Sequence, residues 1–403
     1  MSDRTPVLFV SHEGTLTGAP MMLLHFVRWL RDNSQVEPRM VLLRGGPLAE
    51  RFAEVGPTLV LGEDVGWPGS TSAEDRLEEQ GRHAEAQEAR SRRVRPTLAE
   101  VADLPIAYVN SAASLRILHH LPRAQTAIAH VHELESALQW AMLPEDHSLL
   151  ARRVDHFVAA ADCVADNLVE RHGVARTDVT RVYEFIDTGR ALSSSPDGRE
   201  AVRSQLGLAP DAAVIGGCGF ADWRKGIDLF VQLARHVALL GRDDVHFVWL
   251  GGRAGGTEHE QLDFDIAQAG LGDRFHMVGL QDNPFDWYRA FDVFALTSRE
   301  DPYPLVGLET SVLGVPMVCF DRSGGMTEFV TRHAEENGSA GVIVPYIDVE
   351  AMADAAIRLI DDPAERAAMG ARASRTVVAE HEVEVVGPQL LRVIENVTGL
   401  RLR

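Results

Sequence analysis

The sequence predicts an α/β protein of two Rossmann-like domains whose parallel sheets face each other across a cleft. Three observations carry that expectation. The chain has 403 residues, 45% of them hydrophobic and 24% charged, enough apolar material for two cores. Short apolar runs alternate with longer helical patterns, the order expected of parallel strands covered by helices on both faces. A Ser-, Pro- and Gly-rich stretch, Thr188–Arg199, lies near the middle and reads as a linker.

Taken in order, Val7–Val10 is a four-residue apolar run that reads as a buried strand, and helical periodicity follows over Met21–Arg31. Further strands are expected at Met40–Leu43, Ile106–Val109, Ala127–His130 and Phe157–Ala160. The second half repeats the pattern at Val214–Gly217, His246–Leu250, His276–Val278, Val293–Leu296 and Pro316–Phe320. The division this gives is a first domain over residues 1–187, a linker over 188–200, a second domain over 201–375, and C-terminal helices over 376–403 that cross back to the first domain. Between the early strands, Glu74–Arg95 is charged and poor in apolar residues. It reads as a mobile insertion or a solvated helix, with Arg90, Arg92, Arg93 and Arg95 on a solvated face.

The formal net charge of −20 disfavours a nucleic-acid surface, which needs clustered Lys and Arg, but leaves room for one phosphate-sized pocket. Cys163, Cys218 and Cys319 stand far apart and have no metal-ligand spacing, so they read as reduced buried thiols. The sequence starts MSDRTPVLFVSHEG, without the pattern of a secretory leader, and Met21–Leu30 is broken by His25 and Arg28. The expectation is a cytoplasmic protein with no integral membrane segment.

Two constellations carry chemistry. Gly216 to Gly226, GGCGFADWRKG, follows a strand and leads into the helical run Ile227–Leu240. A Gly-rich turn at a helix start offers backbone amides to a phosphate, and Arg224 and Lys225 add charge there. It reads equally as a surface turn with solvated cations. Asp222 stands where a dinucleotide-binding loop would carry its third glycine, so an NAD-type site is a poor fit. The second constellation, Thr297 to Glu309, TSREDPYPLVGLE, also runs from a strand into a helix. Asp301 lies in its loop and Glu309 about two turns into the helix, where each carboxylate can accept hydrogen bonds from hydroxyls. The amides of Tyr303, Leu305 and Val306 are placed to meet phosphate or sugar oxygens. Asp263 and Asp265 have metal-motif spacing but lie in a helical pattern, so no metal site is expected.

These residues resemble the retaining glycosyltransferase family 4, whose members have the GT-B fold. The resemblance rests on Gly219–Gly226, on the Asp301/Glu309 spacing, on Gly314-Val315-Pro316-Met317 and on Gly324-Gly325-Met326-Thr327-Glu328. It covers nearly all of the second half. In the first half VLFVSHEGTLTGAP and AHVHELE are similar to the family's opening strand and to its strand ending in His plus an acid. Phe220 stands where the family usually has an arginine, a charge that Arg224 is placed to replace, and Asp301 replaces the usual first glutamate.

The resemblance implies transfer of a sugar from a nucleotide-diphosphate sugar to an acceptor hydroxyl, with retention and without a metal or other cofactor. The acceptor is a small molecule, a glycan or a lipid-linked intermediate. It implies that Lys225 and Arg224 neutralise the leaving diphosphate, that Glu309 holds the ribose and that Asp301 holds the donor sugar. His132 would contact that sugar near the reacting carbon, with His130 two residues earlier on the same side of the strand. Gly18 would approach the diphosphate or the acceptor unless it is a plain turn glycine, and Gly219 and Gly279 would line the donor site. Two other readings use the same pocket: a non-hydrolysing nucleotide-sugar epimerase and a non-catalytic nucleotide-sugar binding protein.

Overall fold

A computed structural model describes residues 4–62, 73–123, 125–142, 146–252 and 257–403. The chain packs as two compact units, one running up to Glu184 and including Val383–Arg403, the other Phe185–Glu382.

The first unit is built on seven parallel strands. They are β1 (Thr5–Ser11), β2 (Val36–Leu42), β3 (Thr58–Val60), β4 (Ile106–Asn110), β5 (Thr126–Val131), β6 (His156–Ala159) and β7 (Val179–Arg181), in the order β3-β2-β1-β4-β5-β6-β7. Strand β1 is buried from Val7 to Ser11 and takes β2 and β4 as neighbours. A run covered on both faces has no alternation to show, which is why it reads as a continuous apolar stretch. The Gly18–Asn33 helix turns Met22, Leu23, Phe26, Val27 and Leu30 into the core. Tyr108 joins them, with its ring 5.5 Å from Phe9 and 5.7 Å from Phe26. The Val383–Thr398 helix packs on the same helix, and a Cβ on Gly387 would lie 2.7 Å from the Trp29 ring, so the contact needs glycine.

The second unit has six parallel strands: β8 (Ala213–Cys218), β9 (Val245–Leu250), β10 (Phe275–Gly279), β11 (Val293–Leu296), β12 (Met317–Phe320) and β13 (Gly341–Val344). Their order is β10-β9-β8-β11-β12-β13. Its core gathers Phe230, Phe247, Trp249, Phe275 and Phe320, with Phe230 ringed by Trp249 at 5.3 Å and Phe275 at 5.6 Å. Both units are α/β with wholly parallel pairing, as the alternating pattern predicts.

Four expectations change. Residues 188–200 are not an open linker: they carry the helix Thr188–Leu192 and the start of the helix Gly198–Gln205, and they pack within the second unit. The charged stretch forms two helices, Ala73–Glu79 and His83–Val94, joined by ion pairs of which one arginine is buried. In them Arg90 meets Glu78 at 2.5 Å and Arg93 meets Glu74 at 3.0 Å, so Arg90 is interior and not solvated. Gly216 and Gly217 lie inside β8 and not in a phosphate turn, where any side chain would overlap Phe291 or Trp249. Strands β3, β7 and β13 escape the sequence reading because all three are short edge strands. Asp263 and Asp265 are exposed on the helix Thr257–Gln268, a solvated face as read. Among the described residues no helix is long and apolar enough to cross a membrane.

Candidate functional site

Strand order reverses between β1 and β4 in the first sheet and between β8 and β11 in the second. Beyond the carboxyl ends of the strands at such a switch point, parallel sheets form a crevice that ligands occupy. Arg224 and Lys225 lie beyond the end of β8 and Asp301 beyond that of β11, while His132 follows β5, the neighbour of β4, and Gly279 ends the edge strand β10.

In the second unit, the turn after β8 and the loop after β11 are tied together. Arg299 donates its backbone amide to the Arg224 carbonyl at 2.8 Å, and Thr297 donates its hydroxyl to the Lys225 carbonyl at 3.1 Å. The Arg299 guanidinium reaches the Trp223 carbonyl at 2.7 Å and grips Asp228 with two bonds of 2.8 and 2.7 Å. Two glycines make this approach possible. Gly226 has φ +69°, and a side chain on it would overlap the Thr297 carbonyl. Gly219 has φ +147°, and a Cβ there would press on the aliphatic stem of Lys225 at 2.9 Å.

This packing puts Lys225 Nζ 2.5 Å from Asp301 Oδ2, with Ser298 Oγ donating to the same oxygen at 3.0 Å. Arg224 stands 3.5 Å from the other oxygen and donates to the Glu300 carbonyl at 3.1 Å. Burial alone would raise the Asp301 carboxyl, but Lys225 and Arg224 outweigh it and hold the group below its ordinary range. Both oxygens of Asp301 therefore face cations.

Glu309 lies in the helix Leu305–Val312, whose N-cap is Pro304 and which has no side-chain cap. The amides of Leu305 and Val306 open this helix, where first-turn N–H groups lack intrahelical partners. Tyr303 is buried, its hydroxyl 3.3 Å from His381 Nε2. Burial pushes Glu309 up to about 7, against a hydrogen bond from Tyr288 and the charge of Arg190. The Tyr288 hydroxyl also lies 3.4 Å from Cys218 Sγ, and the thiol feels Glu309, Lys225 and Asp301 together while burial pushes it up to about 12. Cys218, at the end of β8, thus lies within electrostatic reach of Lys225, Asp301 and Glu309. Gly279 ends β10 with φ +70° and accepts the Gly251 amide at 2.9 Å, at the same edge of the sheet. Cys218, Tyr288 and Ser298 were not singled out from the sequence. Tyr288 sits in the short helix Pro284–Ala290 among apolar neighbours, without a polar pattern to flag it.

In the first unit, Gly18 is the first residue of its helix and has no left-handed backbone, so it is not a turn glycine. His132 follows β5, with Nδ1 2.5 Å from Glu184 Oε1 and Nε2 2.9 Å from Asn110 Oδ1. His130 is buried in the core, bonded through Nδ1 to the Tyr108 hydroxyl at 2.7 Å, and its Nε2 has no hydrogen-bond partner. Of the two histidines, His132 is the one at the strand end. Glu133 collects the amides of His132 at 2.9 Å and Ala112 at 3.1 Å together with the Ser111 hydroxyl. Ser111 has φ +77°, a strained conformation that these bonds maintain.

His130, His132 and Glu184 offer ligand atoms within 4.8 Å of one another. Ligands of one tetrahedral ion with bonds of about 2.0–2.1 Å stand about 3.3 Å apart. The 2.5 Å contact of His132 with Glu184 is too short for that and fits a shared proton. On the opposite edge of the first sheet a groove lined by Thr126, His156, Thr180, Gln389, Arg392 and Asn396 contains none of the singled-out residues.

Residues 198–376 match the family described as Glycosyl transferases group 1, and this part of the chain is a domain of that family. The lipopolysaccharide core biosynthesis mannosyltransferase LpsB of Rhizobium meliloti is 34% identical over 246 residues, 59% of this chain and 65% of that protein. A D-inositol 3-phosphate glycosyltransferase of Kribbella flavida is 30% identical over 224 residues, 54% of this chain and 50% of that protein. The chain thus spans 50% to 65% of the length of these curated relatives. Among solved structures, HepE of Anabaena in complex with UDP-glucose superposes with a TM-score of 0.77 at 18% identity, over 98% of this chain and 100% of that one. That likeness shows the fold, which is GT-B.

Proposed function

We propose that this chain, whose second unit carries a Glycosyl transferases group 1 domain, is a cytoplasmic retaining glycosyltransferase. It takes a sugar from a nucleotide-diphosphate donor and gives it to the hydroxyl of a small-molecule, glycan or lipid-linked acceptor. The observation that carries the reading is the gathering of Lys225, Arg224, Asp301 and Glu309 around one strand end at the switch point of the second sheet. A diphosphate suits the two cations and the uncapped start of the Leu305–Val312 helix. A ribose diol suits the buried Glu309 carboxyl. HepE, a protein of the same fold, is solved with UDP-glucose, which supports a nucleotide-sugar donor.

In the transfer, the bond from the anomeric carbon to the diphosphate oxygen breaks as the acceptor oxygen bonds to the same face. The acceptor proton passes to the departing phosphate. Charge grows on the leaving oxygen, and fixed cations stabilise it without reorganising. Lys225, held in place by Asp301, and Arg224 beside it supply that charge. The step needs neither a metal nor a protein base.

The test is incubation of the chain with a panel of nucleotide sugars and acceptors in the presence of EDTA, with the anomeric configuration of the product read by NMR. A retained glycoside formed under EDTA is expected. An inverted product removes the retaining mechanism, an absolute requirement for a divalent ion removes its metal independence, and an epimerised sugar formed without acceptor replaces transfer by epimerisation.

A further inference from the structure

The partners of His132 fix the protons on its ring. Asn110 donates through Nδ2 to the backbone carbonyl of Ala19 at 3.0 Å. A carbonyl only accepts, so the amide nitrogen occupies that end and Oδ1 faces His132. Nε2 lies 2.9 Å from this second acceptor and has to carry a proton. On the other side Nδ1 lies 2.5 Å from Glu184, whose side chain is only 6% exposed. An ionised carboxylate at that distance requires a proton on Nδ1 as well.

We infer that His132 works as an imidazolium and serves the transfer as a hydrogen-bond donor and not as a base, with Glu184 as the positioning residue that keeps the ring charged and Asn110 as the one that holds its orientation. The inference rests on the transferase reading of the site. Burial opposes charge on the ring, and the charges of Glu184 and Glu133 with the Glu184 hydrogen bond overcome it. Two further titratable neighbours are neutral. His130, with its ring centre 4.1 Å from that of His132, is held neutral by burial and by His132 itself, and the buried Tyr108 hydroxyl stays protonated. The Asn110 bridge to Ala19, the second residue of the Gly18–Asn33 helix, links the tilt of the ring to the helix start that carries Gly18. A sugar oxygen that takes the place of Asn110 as acceptor finds the N–H already aimed.

The test is nitrogen NMR of the histidine-labelled full chain, with His132→Gln assigning the signal. In the wild type His132 is expected to stay doubly protonated at pH 7 and to titrate above the ordinary value near 6.5. Glu184→Gln is expected to lower that titration by about one unit or more. It should move the alkaline limb of kcat down by the same amount with little change in donor KM, and Glu184→Asp should restore both. Asn110→Ala is expected to leave the ring charged and to lower kcat. A neutral ring in the wild type at pH 7, a Glu184→Gln protein with unchanged titration, or a tightly bound metal at Nδ1 overturns the inference. The wild-type titration is decisive even if Glu184→Gln fails to fold. Absence of transfer from any nucleotide sugar sinks the transferase reading instead, since the nitrogen signals report the charge without turnover.

Discussion

At the switch point of the second sheet a carboxylate, Asp301, sits among cations; at that of the first a histidine, His132, sits among carboxylates. Each pair is a buried contact of 2.5 Å between an acid and a base. The surroundings differ. Asp301 faces both Lys225 and Arg224, so the second unit has a cation to spare for an anionic ligand. His132 faces Glu184 and Glu133, so the first unit has acids in excess around its base. Strand ends of the same architecture thus differ in charge through the side chains that close each pair.

Removing the cation is the strongest way to break that contrast. Lys225→Ala is expected to lower kcat by about 10²–10³-fold. It leaves Asp301 buried with Arg224 alone, so thermal unfolding should also show a loss of up to about 3 kcal/mol. Unchanged kcat would remove Lys225 from the chemistry. The glycine hinge of the cationic turn comes next. At Gly226 the left-handed φ and the Thr297 carbonyl both exclude a side chain, so Gly226→Ala is expected to cost about 1–3 kcal/mol in unfolding measurements and to weaken donor binding.

The acid at about 7 sharpens the comparison through pH. The folded value of Glu309 lies above its ordinary 4.5, so the native state holds the extra proton between those values and stability falls as pH rises from 4.5 to 7. Glu309→Gln should abolish that fall in a pH series of thermal unfolding. Donor binding that uses the carboxylate should tighten by about tenfold from pH 6 to pH 8 in calorimetry, with proton release near pH 7. A flat affinity would mean that Glu309 meets the ligand as a neutral acid. The smallest effect is expected at Asp228, half-exposed at the rim. Asp228→Asn loses the charged grip on Arg299 and should cost about 0.2–1 kcal/mol in denaturant unfolding.

The two sites were not equally legible in the sequence. Lys225 sits in one turn and Asp301 and Glu309 in one loop and helix, so local spacing next to glycines and a strand end displays them. Glu184 is 52 residues from His132, and Asn110 is 22 residues from it. They meet only because β4, β5 and the segment after β7 end at one edge, a fact of strand order that no local window contains. The central strands were legible because burial on both faces leaves an unbroken apolar run. The edge strands β3 and β7 have three residues each, too few to show a period. In the Glu74–Arg95 stretch the solvated reading holds for Arg92, Arg93 and Arg95 and fails for Arg90 and Glu74, because ion pairing can carry arginine and glutamate into an interior.

The return of Val383–Arg403 to the first unit has a consequence for biosynthesis. A ribosome releases the whole of Phe185–Glu382 before it releases the helix that covers Trp29. The earlier-made half therefore waits, with an apolar flank uncovered, until the later-made half has emerged. Nascent chains arrested before Val383 should be the species that chaperones hold longest.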